Sequence, residues 1–221
     1  MAYLPNMIFF ILLVCSLGLF IRNLKRIKRN IFLGRIIDRS DSPRLRIRNM
    51  MRVAFGQSKM ISRPLAGILH LIVYVGFVLI NIELFEIILD GLTGKHRLFA
   101  PYLGFFYNIL IASFEVLALL VLIAVILFWT RRNVVKLKRF WNTEMKGWPK
   151  QDADNILYFE IVLMLLFLSM NATDSLLQDN GAMNYIKAGS FPVSQFLTPL
   201  FQGFQIETLI ILERSFWWFH I

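Results

Sequence analysis

Long apolar runs alternate with charged stretches along the whole chain. Residues 3–21, 65–89 and 102–129 are each apolar and close to, or above, the roughly 20 residues that cross a bilayer as a helix. The third is long enough to tilt or to lie partly in the interface. A fourth run covers residues 156–177. A fifth, over 215–221, is still apolar at Ile221. The pattern predicts an all-α integral membrane helical bundle with four complete transmembrane helices and the start of a fifth.

The exceptions inside these runs are as informative as the runs. Residues 65–89 carry His70, Asn81, Glu83 and Glu86; Glu115 lies near the middle of the third run and Glu160 early in the fourth. A polar or ionisable group at membrane depth is costly, so it points to a functional position facing the bundle interior. The plainer alternative is a hydrogen bond to a neighbouring helix.

Charge sets the orientation. The composition is 57% hydrophobic and 17% charged, with mean hydropathy +0.60 and formal net charge +10. Of the 24 lysines and arginines, 20 fall in two alternate stretches, 22–64 and 130–155. The positive-inside rule places both in the cytoplasm and the N-terminus outside. No positive charge precedes the first run, which argues against a cleaved secretory signal. Because orientation accounts for most of the charge, nucleic acid is excluded as a partner. In the first loop Arg44, Arg48 and Arg52 recur at i, i+4, i+8 among Leu45, Ile47, Met51 and Phe55. This predicts a short amphipathic helix on the inner leaflet, with membrane lipid as its partner or an electron-transfer protein docked there. The second loop mixes basic residues with Trp141 and Trp148 and suits an interfacial segment.

Cys15 is the one cysteine, read as a small buried apolar residue, so no iron–sulfur cluster can be held within these residues. The histidines are His70, His96 and His220. On its own, His70 is open to three readings: a haem ligand, a quinone contact or a bond between helices. Gly67 and Gly76 nearby would leave room for a flat macrocycle or simply bring helices close.

The order of the runs, ILHLIVYVGF around His70 and RSFWWFHI around His220 resemble the membrane cytochrome b subunits of respiratory nitrate reductase (gamma subunit) and of heterodisulfide reductase. The nearest likeness is to the N-terminal membrane half of bacterial heterodisulfide-reductase-related iron–sulfur oxidoreductases. FGQSKM, SRPLAGILH, GKHRLFAPYLG, KRFW, KGWP and ERSFWWFH have counterparts there in order, and the likeness covers essentially the whole chain. It implies haem b, one or two, ligated by His70 and His220. It also implies a quinone, menaquinone in kind, as substrate, a cytoplasmic or fused iron–sulfur partner with CCG-type motifs, and a place in the bacterial inner membrane. The family pattern has a further histidine about three turns after the first. Here Ile80 and Asn81 stand there, and His96 is the available substitute.

Depth bears on the pairing. His70 lies roughly 8 Å from the cytoplasmic edge at 1.5 Å per residue. If the fifth span enters at Thr208, His220 lies roughly 18 Å deep and faces His70. If Glu213 and Arg214 mark the interface, the span starts near Ser215 and His220 is roughly 8 Å from the outer face. The second placement is the expectation, because it keeps two charges out of hydrocarbon. Two haems would follow, with His96 beside His220 and the second ligand of His70's haem beyond residue 221. A run still apolar at its end also leads us to expect that the sequence continues.

Glu83, Glu86, Glu115 and Asp174 are the proton or quinone candidates, since buried carboxylates are commonly protonated and able to hand protons over. The expected function is electron transfer between a quinone pool and a cytoplasmic iron–sulfur oxidoreductase through haem b. The competing readings are a cofactor-free ion or proton transporter or scaffold built on the intramembrane carboxylates, and a bare membrane anchor.

Overall fold

The computed structural model describes residues 3–35, 37–38, 40–58, 60 and 64–221, without the side chain of Arg139. Three of the basic residues in the first loop, Arg39, Lys59 and Arg63, lie outside the described residues, as does Ser62 of the motifs above. Among the described residues there are helices and turns and no strand. The all-α expectation holds, and four helices are long and apolar enough to cross a membrane.

The helices are α1 (Leu4–Ile31), α2 (Pro43–Met50), α3 (Pro64–Thr93), α4 (Ala100–Leu103), α5 (Phe105–Trp129), α6 (Trp148–Asp179) and α7 (Ile206–His220). A wider π-type turn extends α2 over Met51–Phe55 and α5 over Thr130–Val134. The described chain forms two compact units.

The first unit holds residues 1–67 and 87–95. Helix α1 begins with a proline in its first turn, where a missing N–H costs nothing, and ends with Lys28 and Arg29, which suit the negative end of the helix dipole. Its buried side chain, Phe9, lies against the end of α3: a Cβ on Gly91 would come within 2.7 Å of the Phe9 ring. Asn6 adds a bond from Nδ2 to the Gly91 carbonyl at 2.7 Å. Helix α3 closes on Gly94 (φ 72°), whose N–H donates to the Asp90 carbonyl at 2.7 Å in a left-handed cap. Cys15 is exposed rather than buried; it lies on a helix with one inward residue, so its face is turned away from the protein.

The second unit holds residues 68–86 and 96–221. Helix α5 buries Tyr107, Ile111, Phe114, Ala118, Val121 and Val125, spaced three or four apart and so on one face. Ala118 and Ala124 are fully buried, as expected where helices in lipid associate by close packing rather than by a hydrophobic drive. Gly76 lets α3 approach that face: a Cβ there would meet the Val121 side chain at 2.6 Å. Gly76 is therefore a packing glycine, not room for a macrocycle. Helix α6 packs on both α5 and α7, with Leu177 and Leu209 in one cluster with Ala182.

Candidate functional site

Helix α3 presents His70, Val73, Tyr74, Phe77, Ile80, Asn81 and Leu84 to one cavity of about 350 Å³. These positions recur every three or four residues and form a single stripe. Val121 of α5, Glu160, Leu163 and Met164 of α6, and His220 of α7 complete the lining. The walls are mostly apolar, and the polar groups are few: two imidazoles, a phenol, an amide and one carboxylate.

The two histidines thus border one space, which corrects the expected assignment to opposite faces. Helix α7 begins at Ile206, so His220 lies roughly 21 Å along it, and His70 roughly 9 Å along α3, at 1.5 Å per residue. For helices running in opposite senses through a roughly 30 Å core, those depths coincide. The charged pair in hydrocarbon counts against this placement, and the structure answers it for the acid, while the Arg214 side chain is 44% exposed. Glu213 is 2% exposed, accepts a bond from the Tyr185 hydroxyl at 2.8 Å and pairs with the adjacent Arg214 guanidinium. A charge that is paired and hydrogen-bonded can be buried where a bare one cannot. Burial, with the Glu213 carboxylate beside it, raises the pKa of the Tyr185 phenol above the ordinary range.

His220 is held in a particular way. Its Nδ1 lies 3.2 Å from the Leu163 carbonyl oxygen, and Phe167 packs on the ring at 5.6 Å between centroids. A carbonyl can only accept, so Nδ1 carries the proton and Nε2 keeps its lone pair. Histidines that bind metals are oriented by this kind of contact. Among the described residues no group of three or more His, Cys, Asp or Glu gathers as a metal cage. Haem asks less of the protein, because the macrocycle supplies four ligands and the chain only the axial ones. Two imidazoles from two helices across an apolar space, one with its tautomer fixed, fit that demand.

His96 does not line this cavity. Its Nε2 lies 3.0 Å from Asp174 Oδ1 and its ring packs on Tyr185 at 4.8 Å. The other imidazole nitrogen, Nδ1, is buried and has no partner among the described residues.

Three of the four proton candidates meet in one buried polar network. Arg97 reaches Asp174 from Nε at 2.8 Å, Tyr107 from Nη1 at 3.2 Å and Asn171 from Nη2 at 3.2 Å. Tyr107 in turn donates to Glu86 at 2.8 Å, and the Phe99 N–H donates to the other Glu86 oxygen at 2.8 Å. Asn171 donates to Glu115 at 3.1 Å. Glu115 is 0% exposed and also takes the Val193 N–H at 2.9 Å, the Ser194 N–H at 3.1 Å and the Ser194 hydroxyl. Burial opposes the charge on Arg97, but Asp174 and Tyr107 beside it leave its pKa raised. Glu83 stands apart: it is 5% exposed, and its Oε2 has no partner among the described residues.

Tyr74 follows His70 by four residues, a same-face spacing that the sequence displayed. Arg97, Tyr107, Asn171 and Ser194 were not among the sequence candidates. Asn171, a polar residue inside an apolar run, was the one legible signal among them.

No family model matches the chain, and no solved structure matches it. Two curated relatives are similar. The chain is 27% identical over 191 residues to an EtfAB:quinone oxidoreductase of Syntrophomonas wolfei subsp. wolfei, covering 84% of this chain and 25% of that protein. It is 26% identical over 167 residues to the probable iron-sulfur-binding oxidoreductase FadF of Bacillus subtilis, covering 76% of this chain and 22% of the relative. The chain thus spans about a quarter of the length of the relatives it matches. Both of these similar proteins are oxidoreductases by name.

Proposed function

We propose that this chain is the membrane electron-transfer module of an iron–sulfur oxidoreductase, with haem b held between His70 and His220. The observation that carries the reading is the shared cavity together with the His220 Nδ1 contact to Leu163, which leaves Nε2 available for iron. When bound, the haem supplies one-electron transfer at membrane depth.

The chain's own residues do the rest. His70 and His220, from two helices, would hold the haem iron. Val73, Phe77, Leu84 and Met164 keep the space apolar, which favours an uncharged carrier and limits water. Tyr74 and Glu160 are the polar groups able to meet the edge of what is bound. The quinone link and the iron–sulfur partner come from the names of the two relatives, quinone oxidoreductase and iron-sulfur-binding oxidoreductase. The cytoplasmic face of the bacterial inner membrane is the side proposed for that partner, because the basic stretches lie there by the positive-inside rule. Of the carboxylates on which a transporter reading would rest, Glu86 and Glu115 have their oxygens taken by donors and Glu83 alone keeps an unpartnered one, which gives that reading less support.

A reduced-minus-oxidised absorbance spectrum of the purified full-length protein tests this. A b-type band that a quinol analogue reduces is expected. A protein that folds, inserts and shows no such band under any reductant contradicts the reading.

A further inference from the structure

We infer that Glu160 sets the reduction potential of the centre held between His70 and His220, keeping it low by favouring the oxidised form; the inference rests on the haem reading above. Glu160 is the one acid lining the cavity. The other polar groups there are His70, Tyr74 and Asn81 of α3 and His220 of α7, while α5 contributes Val121. No lysine or arginine is among them. Among the described residues Glu160 has no hydrogen-bond or ion-pair partner, whereas Glu86 and Glu115 are each held by several donors. It also lies at the level of the histidines. Leu163, one turn further along α6, is the residue whose carbonyl oxygen accepts from His220 Nδ1 at 3.2 Å. Glu160 is four residues, roughly 6 Å, into the apolar run that starts at residue 156, and His70 is roughly 9 Å along α3. Both are measured from the end that the positive-inside rule places at the cytoplasm.

An acid at membrane depth is costly unless something pairs with it. The plain role, a hydrogen bond to a neighbouring helix, is not the one Glu160 plays, so its partner is what the cavity holds. An iron–porphyrin with two neutral axial imidazoles carries one net positive charge when ferric and none when ferrous. The apolar walls favour the uncharged, ferrous state, and Glu160 works against them. Its carboxylate attracts the ferric centre and not the ferrous one, and in a low-dielectric space that attraction is weakly screened. Free energy gained in the oxidised state alone lowers the potential. One electron enters from a hydroquinone or a reduced iron–sulfur partner, the positive charge disappears, and the pairing with Glu160 is lost. No bond or proton has to move for this effect.

The test is the midpoint potential of the b-type centre in the full-length protein. It is measured for wild type, Glu160→Gln, Glu160→Asp and Glu144→Gln, the last at an exposed acid of the second basic stretch. Glu160→Gln keeps the size of the side chain and removes its charge. Its potential should rise, toward the tenfold gain in electron affinity that is about 59 mV for one electron. Glu160→Asp keeps the charge and gives a smaller rise, and Glu144→Gln gives none. A Glu160→Gln potential equal to wild type or below it overturns the inference while leaving the haem reading standing. A rise as large in Glu160→Asp or Glu144→Gln overturns it too, because the charge in the cavity would then not be the cause. Absence of the b-type centre from the wild type would overturn both. If Glu160→Gln loses the centre, Glu160→Asp decides alone, and a potential equal to wild type contradicts the assignment.

Discussion

The second unit contains two polar regions built on opposite terms. Around Arg97, nearly every donor meets an acceptor: Asp174, Tyr107, Asn171, Glu86, Glu115 and Ser194 satisfy one another with little left over. Around the cavity, His70, Tyr74, Glu160 and His220 face a space instead of each other. A buried polar group without a partner costs free energy, and a satisfied one costs little. The saturated region reads as a clasp that fixes α3, α5, α6 and the outer loops. The cavity-facing region reads as a place shaped for something else to bind.

Substitutions test each region separately. The largest effect on stability is expected in the clasp. Asp174→Ala removes the carboxylate paired with the buried Arg97 guanidinium, and removing one partner of a buried pair costs about 3–5 kcal/mol. The corresponding loss should appear as a lower melting temperature in detergent, and a variant as stable as wild type would deny the clasp its role. Between the regions, Gly76→Ala drives a methyl into Val121, and overpacking of this kind costs about 1–3 kcal/mol. It should also reduce b-type haem content, because Val121 lines the cavity. Val121→Ala in the same chain should restore both; failure to rescue would show that the contact is not the cause. The smallest effect belongs to Lys187, whose pair with Asp179 is exposed on both sides. Lys187→Ala should change melting by no more than about 1 kcal/mol can produce.

The apolar runs were legible because a span of about 20 residues leaves a long, unambiguous trace. His70 and the acids were legible because polar residues stand out in such a trace. The level of His220 was not, because Glu213 and Arg214 read as an interface when taken as separate charges. The structure buries Glu213 against Tyr185, 28 positions away in sequence, and pairs it with the exposed Arg214. The clasp was hidden for the same reason. Glu115 meets Ser194 across 79 positions, and no local spacing announces that contact. The stripe from His70 to Leu84 lies at the other extreme, since helical period alone puts those residues on one face.

The central claim is that His70 and His220 hold one and the same haem. The direct measurement is the haem-to-polypeptide ratio with the b-type spectrum of wild type, His70→Ala and His220→Ala in the full-length protein. One spectral component between the two residues is expected, and either substitution should remove that same component. Two components, with each substitution removing a different one, would contradict it and return His220 to a separate site.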